Sequence, residues 1–226
     1  ITKLMSALVL SDLPINWRQT TFVTGTDIAE DHHLQIGEKY TLNDLWHIAL
    51  VGSSNSAIKA LVRVSGLSES GFAMLMNRKA HELGLYSMHF VEPTGLDSRN
   101  MGTAVDTARL LKEALAVDRI KQTLAVSQYD ARPLNKKDSR KVWSTDWLMT
   151  NWIPNTFDSI IGKTGYITDS GYNFVVRLAG NKIHPLRVVV FGAATNENRF
   201  SEARDIATWV LDNYVWPRDQ VATAAE

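Results

Sequence analysis

The chain has 226 residues, 45% of them hydrophobic and 21% charged, with 24 basic residues balancing 24 acidic ones and no cysteine. That length holds one sizeable domain, and the even charge leaves no net field for nucleic acid or an anionic membrane. The lack of cysteine excludes thiol catalysis, disulfides and Cys-rich zinc sites, and no apolar run approaches the roughly 18 residues a bilayer span needs.

Leu4, Met5, Ala7, Leu8 and Leu10 predict a first helix, closed by Ser11-Asp12-Leu13-Pro14. Residues 15–40 are turn-rich, with short strands expected. Thr41-Leu42-Asn43-Asp44 reads as the cap of a helix running through Leu50, with Leu45, Ile48 and Ala49 inward. Gly52 breaks it, and Ser53-Ser54-Asn55 stands at the break before a helix from Ser56 to Val64. Glu69 to Leu83 has helical spacing, with Gly84 suited to its C-terminal cap. His89-Phe90-Val91 is expected to be extended, and Thr103 to Ala116 helical with Ala104, Ala108, Leu111 and Leu115 on one face. Residues 130–155 read as irregular. The period then changes: strands are expected at Ile160–Thr164, Asn173–Leu178 and Leu186–Phe191, with Gly180-Asn181-Lys182 as a hairpin. A last helix from about Ser201 to Tyr214 turns Ala203, Ile206, Ala207, Val210 and Leu211 inward. No repeat or linker divides the chain, so it reads as one α+β domain, a sheet packed by helices.

Three stretches carry residue types suited to acyl transfer. Lys3 opens the first helix, Ser53-Ser54-Asn55 marks a helix break, and Lys163-Thr164-Gly165 ends a strand. In that order they resemble the S-x-x-K, S-x-N and K-T-G motifs of serine enzymes that acylate on D-alanyl-D-alanine peptides and β-lactams. The serine of S-x-x-K falls immediately before Ile1, so the nucleophile is expected at that preceding position. A serine hydroxyl is a weak nucleophile until a base takes its proton, and residues three apart on a helix share a face. Lys3 must be neutral to be that base, which calls for burial or a nearby cation; Lys163 is the expected cation. Ser53 suits proton relay to a departing amine, and the Asn55 amide suits a substrate backbone. The backbone N–H groups of the preceding serine and of Tyr166 suit an oxyanion hole.

On these residues the chain resembles the low-molecular-mass penicillin-binding proteins of the D-alanyl-D-alanine carboxypeptidase and endopeptidase family. Ile1-Thr2-Lys3-Leu4-Met5 resembles the tail of that family's S-I-T-K-L-M helix, and Ser53-Ser54-Asn55-Ser56-Ala57 its S-x-N-x-A element. Phe90 to Leu96, Thr103-Ala104-Val105-Asp106 and Asp158 to Tyr172 resemble further family segments. The likeness covers nearly the whole chain and is nearest to the periplasmic endopeptidase branch. It implies a β-lactamase/transpeptidase-like domain over residues 1–226, with an antiparallel sheet packed by helices plus an all-helical subregion. The family's N-terminal segment and C-terminal β-domain are expected to be absent from it. The resemblance also implies a serine DD-peptidase with Lys3 as general base, Ser53 as relay and Asn55 as substrate clamp. Lys163, Thr164, Gly165 and Tyr166 would then hold substrate. No metal or organic cofactor is implied. The implied partners are peptidoglycan peptides, and β-lactams as covalent inhibitors, with no nucleic acid, no membrane anchor and a periplasmic location. Asp146 stands where the family commonly has asparagine.

Other motifs have plainer readings. Ser56-Ala57-Ile58-Lys59 is a complete S-x-x-K and Ser98-Arg99-Asn100 a second S-x-N. Local context argues against both: Lys59 is expected on the outer face of a packed helix, and Ser98 and Asn100 are expected to help cap the helix from Thr103. His32-His33 lacks a third metal ligand at useful spacing and reads as a surface loop. His81-Glu82 lacks the second histidine of H-E-x-x-H and reads as an exposed pair. Trp143, Trp147 and Trp152 read as core anchors ahead of a sugar-stacking surface, and Asp106 with Arg109 as a surface ion pair. Two rival functions stay open. A class A-type β-lactamase is opposed by the lack of an E-x-x-L-N string between residues 56 and 162. A non-catalytic cell-wall-binding homologue would keep the fold without the nucleophile.

Overall fold

The structure, a computed structural model, describes residues 1–180 and 183–216. Helix α1 (Lys3–Asp12) has eight consecutive buried residues, Lys3 to Leu10, and is therefore a central helix with no solvent face along that stretch. Around it pack α3 (Asn55–Val64), α4 (Glu69–Glu82) and α5 (Ala104–Ala116). Helix α2 (Leu42–Val51) starts in a capping box, the Asp44 N–H donating to Thr41 Oγ1 at 3.0 Å and the Thr41 N–H to Asp44 Oδ2 at 3.2 Å. Strands β1 (Thr20–Phe22) and β2 (Lys39–Thr41) pair antiparallel just before it.

Strands β5 (Ser159–Ile167), β6 (Gly171–Gly180) and β7 (Ile183–Ala193) form an antiparallel sheet in that order. Alternation along β6 splits its side chains between two cores. Phe174, Val176 and Leu178 pack towards Phe200, Ala203 and Ala207 of α7 (Asn198–Asn213), whereas Val175 joins the helical core. Lys163 lies opposite Val175 in the ladder, so the register points its side chain at the helical region.

Several elements differ from the sequence reading. Within 130–155, strands β3 (Gln128–Ala131) and β4 (Arg140–Trp143) form a hairpin, and α6 (Asp118–Leu124) precedes them. Of His89-Phe90-Val91, only His89 forms a bridge, with Met101. The inward face of α5 is rotated to Thr107, Leu110, Leu111 and Ala114, leaving Ala104 exposed, because Asp106 turns in to bind Ser87 through its N–H at 3.0 Å and its Oγ at 2.7 Å. Asp106 is thus a buried loop anchor that also meets Arg109 at 3.0 Å. Ile206 is exposed, since only Phe200, Ala203 and Ala207 of the apolar residues on α7 are fully covered by the sheet. Trp143 and Trp152 are 58% and 73% exposed and are not core anchors; Trp147 is partly buried and stacks on Phe200 at 5.6 Å. Thr103 caps α5 itself, while Asn100 instead braces the preceding loop. Lys59 is half-buried and pairs with Glu69 at 3.4 Å. Asn181 and Lys182 of the expected hairpin lie outside the described residues.

Candidate active site

Lys3 is 5% exposed, and its ammonium donates to Asn55 Oδ1 at 2.5 Å and to the Thr94 carbonyl at 3.0 Å. Burial lowers its pKa to about 8 from an ordinary 10.5, against the opposing pull of Glu92 and Asp31. Desolvation therefore does the work that the sequence reading assigned to Lys163. The Thr94 carbonyl is delivered by a tight loop. Glu92 accepts from Thr94 N at 2.6 Å, Thr94 Oγ1 at 2.5 Å, Gly95 N at 2.6 Å and Asn100 Nδ2 at 2.8 Å. Gly95, at φ +90°, is needed twice over: a Cβ there would lie 2.8 Å from Thr2 Oγ1.

Ser53 sits in the α2–α3 break at φ +60°, a left-handed conformation uncommon outside glycine. Asp31 holds this break in place, accepting from Ser54 Oγ at 3.0 Å, Ser56 N at 2.8 Å and Ser56 Oγ at 3.1 Å. Ser54 Oγ in turn accepts from Ala57 N at 3.0 Å and caps α3. The break thus presents Ser53 on one side and Asn55 on the other, and it ties Ser56, the serine of the decoy motif, to structure.

From the sheet, the Lys163 ammonium donates to Ser53 Oγ at 2.7 Å and to the Thr164 carbonyl at 3.4 Å. Burial first, then Lys3 and Arg199, hold Lys163 well below the ordinary lysine range, while Asp146 pulls the other way. Thr164 Oγ1 shares a 2.6 Å hydrogen bond with Thr145 Oγ1, and its carbonyl lies 3.1 Å from the Ile1 nitrogen. Arg199 of α7 donates to the Gly165 carbonyl at 3.2 Å. Tyr166, 53% exposed, rests on Tyr172 at 4.4 Å at the end of the strand.

The structure thus pairs Lys3 with Asn55 and Lys163 with Ser53, sets Thr164 and Gly165 against Ile1, and leaves Tyr166 at the rim. A cavity of about 430 Å³ opens beside them, lined by Ile1, Gly95, Gly165, Tyr166, Asn173 and Phe191 among others, but by none of Lys3, Ser53, Asn55 or Lys163. The sequence alone does not single out Asp31, Glu92, Thr145 or Arg199 as site residues, although Glu92 lies within the family-like segment Phe90 to Leu96 and Thr145 stands beside the family-variant Asp146. Among the described residues no three His, Cys, Asp or Glu side chains gather as metal ligands.

The profile of the family described as D-alanyl-D-alanine carboxypeptidase matches residues 1–195. A D-alanyl-D-alanine endopeptidase of Haemophilus influenzae is 34% identical over 184 residues, which is 77% of this chain and 60% of that protein. A D-alanyl-D-alanine endopeptidase of Escherichia coli is 28% identical over 223 residues, covering 96% and 70%. The chain therefore spans 60% of the length of the first relative and 70% of the second. The crystal structure of a D-alanyl-D-alanine carboxypeptidase from Mycobacterium tuberculosis has the same fold, with a TM-score of 0.79 at 23% identity over 96% of this chain and 81% of that one. Profile, relatives and the α+β architecture agree, and the chain belongs to the D-alanyl-D-alanine carboxypeptidase family of serine peptidases.

Proposed function

We propose that this chain carries the catalytic machinery of a serine DD-peptidase that cleaves D-alanyl-D-alanine-derived bonds in peptidoglycan stem peptides and is acylated by β-lactams. The observation that carries the reading is a pair of hydrogen-bonded lysines, Lys3 with Asn55 at the start of α1 and Lys163 with Ser53 on the strand whose Thr164 carbonyl lies 3.1 Å from the Ile1 nitrogen. A serine joined to that nitrogen stands between the two pairs. Its hydroxyl attacks the substrate carbonyl while neutral Lys3 takes the proton, forming a tetrahedral oxyanion held by the serine and Tyr166 N–H groups. The C–N bond then breaks as Ser53 hands its proton to the departing amine and takes up the one held on Lys3; water, losing a proton to the freed Lys3 amine, then cleaves the ester, and that proton returns to the released serine oxygen. Lys163 and Thr164 hold the substrate carboxylate, and Asn55 orients the substrate as well as Lys3. Such stem peptides lie outside the cytoplasmic membrane, so the protein acts in the periplasm. No described helix is long and apolar enough to cross a membrane.

The test is intact mass of protein bearing a serine before Ile1, with and without penicillin. One penicilloyl adduct on a peptide ending at Lys3 supports the reading. No adduct, or rapid turnover of penicillin with no lasting adduct, overturns it in favour of a binding protein or a β-lactamase.

Ser53→Gly separates chemistry from stability at this site. Relief of the left-handed conformation and the added freedom of the unfolded chain are each worth about 1 kcal/mol and oppose one another. The buried Lys163 ammonium also loses its Ser53 acceptor, at about 1–3 kcal/mol, so the melting temperature is expected to fall by roughly 2–12 °C. Loss of the relay hydroxyl should slow peptide cleavage by about 100-fold or more. Cleavage at the wild-type rate in the folded variant would remove Ser53 from the mechanism.

A further inference from the structure

An even total charge removes a net field but not a local one. Around the tip of the β3–β4 hairpin, residues 132–141 carry Arg132, Lys136, Lys137, Arg140 and Lys141 against a single acid, Asp138. Arg140 is compensated by buried Glu38 at 2.6 Å, and Lys141 stands opposite exposed Asp130 in the ladder. Arg132, Lys136 and Lys137 are exposed, and among the described residues none of them joins an ion pair. The tip is docked on β2. The Leu134 N–H donates to the Lys39 carbonyl at 2.7 Å, the Lys39 N–H to Asn135 Oδ1 at 2.9 Å, and Asn135 Nδ2 to the Gly37 carbonyl at 2.8 Å. Ala131 and Pro133 are buried beneath it, while Leu134 turns outward and is 55% exposed. Lys39 pairs in register with Phe22, its ammonium 5.3 Å from the ring centre. Phe22 is 53% exposed, and Ile36, beside Gly37, is 68% exposed. One corner of the molecule thus offers three large apolar side chains to water. Lys39 lies between two of them, and Lys136 and Lys137 follow within three residues of Leu134.

Neither feature alone selects a partner. A solvated basic loop needs no apolar centre, and the cores of protein–protein interfaces are poor in lysine. A bilayer surface with anionic headgroups calls for both: phosphates that attract lysine, and an acyl boundary just beneath for aliphatic and aromatic side chains. We propose that this corner, with Phe22, Ile36 and Leu134 at its centre and the lysines at its rim, binds reversibly to the surface of an anionic phospholipid bilayer. The inference stands apart from the peptidase reading. It bears on where the site works, because Thr145, which bonds Thr164, follows Lys137 by only eight residues. A chain of that length reaches at most about 29 Å, so bound protein keeps the K-T-G strand within that distance of the headgroups.

The test is co-sedimentation of the full chain with vesicles of phosphatidylcholine alone, or of phosphatidylcholine and phosphatidylglycerol in equal parts. Binding is expected only to the anionic vesicles, and it should be lost in about 1 M salt, where the field reaches only about 3 Å. Lys136→Gln combined with Lys137→Gln should weaken it by about 30-fold, each lysine near an anionic surface being worth about 5-fold. Leu134→Ser should weaken it by about 10-fold. These side chains are exposed, so melting temperatures should stay within about 3 °C of wild type. Location is read separately. The chain has no cysteine, so an environment-sensitive dye can be placed on Leu134→Cys, or on Trp209→Cys at an exposed position of α7. Anionic vesicles should shift its emission to the blue at the first position and leave it unchanged at the second. The proposal is overturned by equal binding to both vesicles, by no binding, or by binding that the lysine pair does not alter. A dye response no stronger at Leu134 than at Trp209 also overturns it. Retention on lipid-free peptidoglycan without vesicle binding would overturn it too, and would assign the corner to an anionic wall polymer.

Discussion

Lys3→Met, in protein bearing a serine before Ile1, is expected to slow penicillin acylation by about 10²–10⁴-fold with little loss of stability at pH 7. Lys3 is a buried cation, and the drop from 10.5 to about 8 corresponds to a burial cost of about 3 kcal/mol on an order-of-magnitude scale. Methionine has similar length and no charge, so it avoids that cost. It leaves Asn55 Oδ1 and the Thr94 carbonyl without their donor, at about 1–3 kcal/mol each. The terms nearly cancel. Their pH dependence does not. Between pH 8 and 10.5 the unfolded chain still holds the proton that native Lys3 has released, so wild-type stability rises with pH across this window. The methionine variant lacks that rise. Melting curves at pH 7 and pH 10 should therefore diverge only at the higher pH, with wild type the more stable. In the wild type, acylation should climb with pH to a half-maximum near 8, because only the neutral amine accepts the serine proton. Parallel stability curves, or a half-maximum near 10.5, would mean that Lys3 is not desolvated and is not the base.

What the sequence revealed was mostly local. Thr41 and Asp44 sit three residues apart and announce the start of α2, and Gly52 marks the break that holds Ser53 and Asn55; the start of α3 one residue earlier, at Asn55 with Ser54 as its cap, shows only in the structure. The K-T-G strand was legible because its apolar run and the glycine beside it differ from the helical period around them. The supports were not legible, because each acts across the fold. Asp31 reaches Ser54 and Ser56 more than 20 residues away, and Arg199 reaches Gly165 from a different element. Nothing near a lone Asp or Arg in sequence states such a partner. The inward face of α5 departs from its apolar spacing for the same reason, since Asp106 is buried by Ser87, a residue outside the helix. The β3–β4 hairpin hid because its fully buried residues are just Ala131 and Val142, too few for a visible alternation. Size alone favours a core place for the tryptophans, yet size does not decide exposure, and Trp143 and Trp152 lie open to solvent.

Glu92→Gln is expected to destabilise the protein by about 3 kcal/mol, lowering the melting temperature by roughly 6–12 °C. The Glu92 carboxylate accepts from Thr94 N, Thr94 Oγ1, Gly95 N and Asn100 Nδ2, all within 2.8 Å. Glutamine keeps one accepting oxygen and turns the other position into a donor, so N–H groups that now meet oxygen would meet another N–H. The consequence should reach the chemistry, because this loop sets the Thr94 carbonyl against Lys3 and Glu92 is first among the charges that hold the Lys3 proton on. Removing that negative charge should move the acylation half-maximum below about 8 while the maximal rate falls through loss of the Thr94 contact. Glu92→Asp keeps the charge but shortens the reach, so it should lose stability without moving the midpoint as far. A Glu92→Gln protein that melts within about 2 °C of wild type would show that the loop is held by its backbone turns alone. One that melts early with an unmoved midpoint would show that Glu92 supports the loop but not the charge of Lys3. The two readouts separate because hydrogen bonds set the first and Coulombic support the second, though a single carboxylate supplies both.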